Sequence, residues 1–351
     1  MPARALTADP TGFFRIGAGV WTAEGDAVVA VSGEQSRVLR IGPGGEVTML
    51  SGPGSAASEL RGVTSLFAVG EHLVAWDSQR GRLALFRDGS PEEVIPLRIP
   101  SRHAVVGLFA DGTIVTSRAP GFTVFATADS VVEEGTPTVY ELWDRRGNRV
   151  GELEGAPAPA PPYFRFVHRR DGSAIFSTDV HGGTCLPEVE HLVRDDRILI
   201  ADGREGVLWA LDRSGRRTEL MRASARDTVE AGAVARLSEM IELTESYVEP
   251  VLDDAERTLL AQLGEPGDPL PSAWSALVED SGDGSLWLRR AACFPEDPTE
   301  TWDVVSPAGR PVASVRVPGN LRILAVVGEQ VLAVTRDETG VEQVAVYRVV
   351  K

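Results

Sequence analysis

The chain reads as an all-β protein, a six-bladed β-propeller with a helical insertion at about residues 227–264, and three observations lead there. First, a strand, a tight turn and a second strand recur as "RVLRIGPGGEVTML", "RLALFRDGSPEEVIPL", "VYELWDRRGNRVGEL", "VLWALDRSGRRTELM" and "TWDVVSPAGRPVASV". Second, another strand pair precedes these hairpins, as in "VTSLFAVGEHLVAWD", "VVGLFADGTIVTS", "EHLVRDDRILIAD", "SALVEDSGDGSLWLRR" and "ILAVVGEQVLAVTRD". Third, the final strand, "VEQVAVYRVV", has nothing after it to pair with. Four strands per unit, repeated in series, make a propeller blade.

The hairpins rest on alternation of apolar and polar residues, with Gly or Asp where a turn needs positive φ or an Asx-type bond. The orphan last strand needs a partner, and the N-terminus around "TGFFRIG" is expected to supply it. A ring sealed in this way leaves no open edge between first and last blades. The pair "YFRFVHRRDGSAIFSTD" has no second hairpin of its own, so a count of seven blades stays open.

Two segments interrupt the repeat. "GELEGAPAPAPPYF" is rich in Pro and Ala and suits an extended connector. From Asp227 to Gly264, apolar residues fall at helical spacing (Val229, Ala233, Leu237, Met240, Ile241, then Leu252, Leu259, Leu260, Leu263), with a break near Pro250. This predicts two acidic helices that cover the channel mouth, dock a partner, or pack against a blade edge.

Trp-Asp pairs in three units invite comparison with the WD-repeat. That repeat opens on Gly-His and runs at a regular period; here Gly-His is absent and the turn spacing varies. The Trp is expected between blades and the Asp at the turn. The chain instead resembles the six-bladed propellers of the NHL and TolB-like group, many of them bacterial exported proteins. The resemblance rests on "DAVVAVSGEQSRVLRIGPGGEVTMLSGPGSAASEL", with Gly52, Pro53 and Gly54 followed by Leu60 where the group has Phe. It is closest in "GDGSLWLRR", "TWDVVSPAGRPVASVRVP" and "VLAVTRDETGVEQVAVYRV". It implies blade architecture and brings no catalytic residue with it.

Composition limits the partners. A formal charge of −16, from 35 basic and 51 acidic residues, repels nucleic-acid backbones and anionic lipid. A small molecule or a protein is expected instead, bound by a monomer. No apolar run is long enough to cross a membrane as a helix, and "MPARALTADPTGFF" lacks the apolar stretch of a signal peptide. As written the chain is expected in the cytoplasm, or outside it if the natural chain begins earlier, as the resemblance suggests. Cys185 and Cys293 lie far apart without metal-ligand spacing and read as free thiols, or as a disulfide in an exported protein.

Catalytic motifs are absent. A lactonase-type cation site would need Asn and acidic ligands at the channel, and Asn148 and Asn320 lie in hairpin or Pro-Gly contexts. "EDSGDGSLW" has Ser285 where an Asp-box has Gly, and lacks the Glu of a calcium loop. No G-x-S-x-G, P-loop or H-E-x-x-H occurs, and no metal or cofactor is expected. Of five histidines, His168 and His181 flank the surplus strand pair, while His103 and His191 open innermost strands and could face the channel mouth, which leaves a three-His site open as an alternative. Arg61, Arg102 and Arg322 precede innermost strands, with Arg165 in the comparable place of the surplus pair. Together these six residues form the expected ligand site, suited to a small anion through paired guanidinium hydrogen bonds. The functional expectation is a binding module, with a channel-mouth enzyme using His103 and His191 as acid and base as the alternative.

Overall fold

The computed structural model describes residues 5–6, 15–31, 36–52, 59–99, 103–118, 124–126, 138–155, 163–170, 174–181, 189–224, 227–229, 232, 266–270, 273–292, 299–337 and 341–349. Strand β1 (Ala5–Leu6) comes first. Blade 1 is β2 (Ile16–Trp21), β3 (Ala27–Val31), β4 (Arg37–Ile41) and β5 (Val47–Ser51). Blade 2 is β6 (Val63–Val69), β7 (His72–Asp77), β8 (Arg82–Arg87) and β9 (Ser90–Pro96). Blade 3 is β10 (His103–Leu108), β11 (Ile114–Arg118), β13 (Val139–Trp143) and β14 (Arg149–Glu154), with β12 (Val124–Ala126) lying outside it. After β15 (Tyr163–Arg170) and β16 (Ala174–His181), blade 4 is β17 (Val189–Arg194), β18 (Arg197–Asp202), β19 (Val207–Asp212) and β20 (Arg217–Arg222). Blade 5 is β21 (Trp274–Glu279), β22 (Leu286–Arg290), β23 (Thr299–Val305) and β24 (Pro311–Pro318). Blade 6 is β25 (Leu321–Val327), β26 (Gln330–Arg336), β27 (Glu342–Arg348) and, on its outside, β1.

The innermost strands touch in the cyclic order β2, β6, β10, β17, β21, β25 and back to β2. Six blades therefore close the ring. The surplus pair β15–β16 does not add a seventh, because β10 meets β17 directly. It forms instead a three-stranded sheet with β12, which runs parallel to β15.

Closure differs in place from the sequence expectation. Ile16 belongs to the innermost strand of blade 1, where it pairs with Val31. The partner of β27 lies further upstream, with Ala5 opposite Ala345 and Leu6 opposite Val344.

Each pair of adjacent blades encloses its own apolar core, because both faces of a sandwiched sheet must be covered. Six such clusters follow one another round the ring. The one that joins last to first holds Ile16, Trp21 and Val29 against Leu332, Val334 and Val344. Close approach of inner strands sets some residue choices: a Cβ on Gly107 would lie 2.7 Å from Val193 Cβ. No side chain larger than hydrogen fits there.

The Trp-Asp pairs share letters but not roles. All three Trp side chains are buried, as expected. Asp144 opens its turn by accepting N–H bonds from Arg146 and Asn148. Asp77 instead accepts from Arg61 and Gly62, pinning the chain that enters blade 2, and Asp303 pairs with Arg290 at 2.9 Å. The difference follows from position: Asp77 ends a second strand, Asp144 follows a third, and Asp303 lies inside one.

Among the described residues no helix is long and apolar enough to cross a membrane. The helical segment expected at 227–264 lies outside the described residues apart from 227–229 and 232. Its two flanks are held together, with Thr228 bridged to Pro269. Both cysteines also lie outside the described residues.

Candidate functional site

The second halves of all six innermost strands line one central cavity of about 540 Å³. Its wall is uneven. β2, β6, β10 and β25 end on Trp21, Val69, Leu108 and Val327, whereas β17 and β21 end on Arg194 and Glu279. The charged lining therefore lies on two adjacent blades, and apolar strands face it.

Alternation along β17 explains how one strand serves two neighbours. This strand runs in unbroken register with β18 from Val189–Asp202 to Arg194–Arg197. Successive side chains then point to opposite sides. His191 turns toward blade 3 and Arg194 toward blade 5. Arg194 Nε lies 3.0 Å from Glu279 Oε1, and Nη1 donates to the Gly284 carbonyl at 2.7 Å. Burial pushes the Glu279 carboxyl above its ordinary range; Arg194 opposes this, and Asp195 and Asp280 add to it. Carboxylates outnumber guanidinium groups at this end of the channel.

Not every acid there is available to a ligand. Asp280 Oδ1 accepts the Gly282 and Gly328 N–H groups, each at 2.8 Å, and Ser281 N–H reaches the Val326 carbonyl at 2.9 Å. These bonds tie the β21–β22 turn of blade 5 to blade 6. Likewise the Ala110 N–H donates to the Asp195 carbonyl at 3.0 Å, joining blades 3 and 4. The Asp195 side chain and Glu279, whose Oε1 already pairs with Arg194, line the cavity beside it.

Of the described residues expected from sequence, Arg61, His103 and Arg322 do not line this cavity. Arg102 lies outside the described residues, and of Arg165 only the backbone is described, on β15 of the accessory sheet. Arg61 is exposed, and its peptide N–H binds Asp77. Arg322 donates to the Ile16 carbonyl and lies 3.7 Å from Glu342, so it serves ring closure. The structure does not bring Arg61 and Arg322 into contact with one another.

The two histidines pack on opposite faces of blade 3, His103 on the face of Glu141 and His191 on the face of Ser117 and Tyr140. His103 Nε2 lies 3.4 Å from Glu141 Oε2, which Arg149 also approaches at 3.5 Å. His191 Nε2 is 3.4 Å from Ser117 Oγ, and its ring meets Tyr140 edge-on at 5.7 Å. Burial holds His191 down to about 4, so the imidazole is neutral at pH 7. Its Nδ1 and the Tyr140 hydroxyl have no hydrogen-bond partner among the described residues. Among the described residues, His191 is the one of the six expected that lines the cavity. Among the described residues no group of three His, Cys, Asp or Glu is placed to hold a metal.

The cavity's charged end lies where two innermost strands finish, whereas the sequence expectation rests on strand starts. The signal was present in "HLVRDD" and "ALVEDS", the two innermost strands that finish on charge.

Comparison with solved structures agrees on the fold. A DUF4221-family member from Bacteroides vulgatus aligns at TM-score 0.52 and 10% identity, over 99% of this chain and 95% of that one. A presumed exported protein from Bacteroides fragilis aligns at TM-score 0.50 and 9% identity, over 99% and 94%. At such identity the likeness extends to the propeller fold alone. No protein-family model matches the sequence, and no curated protein sequence matches it either.

Proposed function

We propose that this propeller is a binding module whose central channel takes a small amphipathic molecule bearing a protonated amine. The observation that carries the reading is the division of the cavity wall, with apolar strands on four blades and Arg194, Asp195 and Glu279 on the other two. An apolar body fits against the first, and a cation against the second. Arg194 is already engaged by Glu279 and Gly284, which leaves net negative charge for the ligand. The acidic body, at −16, raises the local concentration of cations by the same sign. A small anion at the strand starts has less support, since Arg322 is taken up by Glu342 and the Ile16 carbonyl.

The enzymatic alternative is weaker on geometry. Among the described residues, His191 and Ser117 are the nearest approach to a base and hydroxyl, yet Nδ1 has no orienting group there and Ser117 does not line the cavity. A nucleophile pair needs both.

Calorimetric titration with n-hexylamine, hexanol and hexanoate tests the reading. The amine should bind best and hexanoate least, and Glu279→Gln should remove the preference for the amine. Equal binding of all three, or a preference for hexanoate, would overturn it.

A further inference from the structure

We infer that the outer edge of blade 1 pairs with the same edge of a second copy, joining two propellers through β5. Every propeller blade presents its outermost strand to solvent with half its backbone groups unpaired, and natural proteins guard such edges with charge, proline or brevity. Five of the six edges here are guarded. β9 carries Pro91, Glu92 and Glu93, β14 carries Arg149, Glu152 and Glu154, and β20 carries Arg217, Glu219 and Arg222. β24 is bounded by Pro311 and Pro318 and holds Arg316, and β1 is two residues long. β5 reads Val-Thr-Met-Leu-Ser. It has neither charge nor proline, and Val47 and Met49 are 42% and 60% exposed.

The hydrogen-bond phase of the hairpin shows which backbone groups are free. Gly42 N–H donates to the Glu46 carbonyl at 2.9 Å, and Ile41 lies opposite Val47, Arg40 opposite Thr48, and Leu39 opposite Met49. Hydrogen-bonded and non-hydrogen-bonded pairs alternate along an antiparallel ladder. Thr48 therefore bonds inward to Arg40, while the N–H and C=O groups of Val47 and Met49 point away from the blade. These are also the residues with exposed apolar side chains.

The strand is complementary to itself in that phase. A twofold axis through Thr48 sets Val47 opposite Met49 of the second copy, and Met49 opposite Val47. Both are hydrogen-bonding pairs, so all the outward groups of the two residues are satisfied. Thr48 meets Thr48 across the axis in a non-hydrogen-bonded pair, a favourable cross-strand match. Glu46 falls opposite Leu50, so no like charges face each other. The contact is isologous and closes at two copies. A short edge makes a weak dimer, and the charge of −16 on each copy opposes it at long range. Association should therefore strengthen as salt rises, the reverse of an interface built on ion pairs.

Sedimentation velocity on the full chain over a range of protein and salt concentrations tests this. A concentration-dependent dimer favoured by salt is expected. Met49→Pro should abolish it without unfolding the blade, because the Met49 N–H makes no bond within its own sheet. Met49→Lys should do the same, and melting curves on both variants check the fold. Thr48→Cys should give a disulfide-linked dimer under mild oxidation, since cross-axis Cα atoms lie within disulfide range. Thr218→Cys, on the exposed face of β20, should not. A wild-type chain that stays monomeric at every concentration and salt, or a dimer that survives both Met49 variants, would overturn the proposal. The first result would leave the edge for a strand of another protein.

Discussion

The Ile16 N–H donates to Glu342 Oε2 at 2.6 Å, joining the first residue of blade 1 to the last blade across 326 positions in sequence. Glu342 is 4% exposed and also receives Arg336 at 2.9 Å and Arg322 at 3.7 Å. The ring is thus closed twice, by β1 on the outer edge of blade 6 and by this carboxylate at the start of β2. β1 supplies only two residues of ladder, so the buried carboxylate has a large share of the task.

Glu342→Ala should destabilise the fold by about 2 to 3 kcal/mol, because it strands a buried N–H and removes the group that draws two arginines. Glu342→Gln keeps an acceptor and should lose about 1 kcal/mol. Burial pushes this carboxyl up, but Ile16, Arg336 and Arg322 outweigh it and hold it below its ordinary value. A lowered carboxylate gives stability that is present above its unfolded value and lost as pH falls through the folded one. Urea denaturation of wild type and Glu342→Gln should therefore converge in acid. Curves that stay equally separated at every pH would show that charge at Glu342 is irrelevant to closure.

His191 titrates in the same direction for a different reason. Burial lowers it from 6.5 to about 4, so between those values the unfolded chain binds a proton that the folded chain does not. Stability then rises with pH across that window, with a slope of up to about 1.4 kcal/mol per pH unit from this group. His191→Phe removes the group and keeps a ring against Tyr140. Its stability relative to wild type should grow as pH drops from 6.5 toward 4, measured by denaturant midpoints. A constant difference would place the imidazole in contact with solvent.

Tyr140→Phe should be neutral or stabilising by up to about 1 kcal/mol. The hydroxyl is fully enclosed and has no hydrogen-bond partner among the described residues, and burying such a group without one is unfavourable. Burial also drives the phenol well above its ordinary range, with nothing to offset it. Thermal melting of the variant checks this, and a large loss would reveal a partner for the hydroxyl in solution.

Blade architecture was legible in the sequence because hairpins are local: Gly45, Gly147, Gly215 and Gly309 all adopt positive φ, and their flanking strands alternate visibly. Closure was only half legible. The need for an N-terminal partner follows from the orphan strand, but Ala5–Leu6 is too short to carry a pattern, and Ile16 looked equally suited. The surplus pair left the blade count open because its fate depends on β12, three residues long and paired in parallel. Site residues were least legible. An arginine before a strand looks the same whether it faces a ligand or, as Arg322 does, a carboxylate two strands away in its own blade and a carbonyl it meets only in the closed ring.

The last prediction concerns the segment between blades 4 and 5. The chain leaves blade 4 through Asp227, Thr228 and Val229 and returns through Gly267, Asp268, Pro269 and Leu270. These flanks pair antiparallel: Val229 N–H donates to the Asp268 carbonyl, Gly267 N–H to the Val229 carbonyl, and Leu270 N–H to the Asp227 carbonyl. Val229 and Leu270 are buried. Entry and exit are therefore adjacent, joined by these three backbone bonds. Replacing residues 230–266 by a short Gly-Ser link should preserve this ladder, since a shorter loop lowers the entropy cost of bringing its ends together. The shortened chain should keep its β circular dichroism and melt near wild type, as blade bonds do not pass through the excised part. If the segment is helical, as its spacing suggests, the helical signal should disappear with it. A collapse of the β signal would instead make the segment part of the propeller core, and the flanking ladder a consequence of its packing.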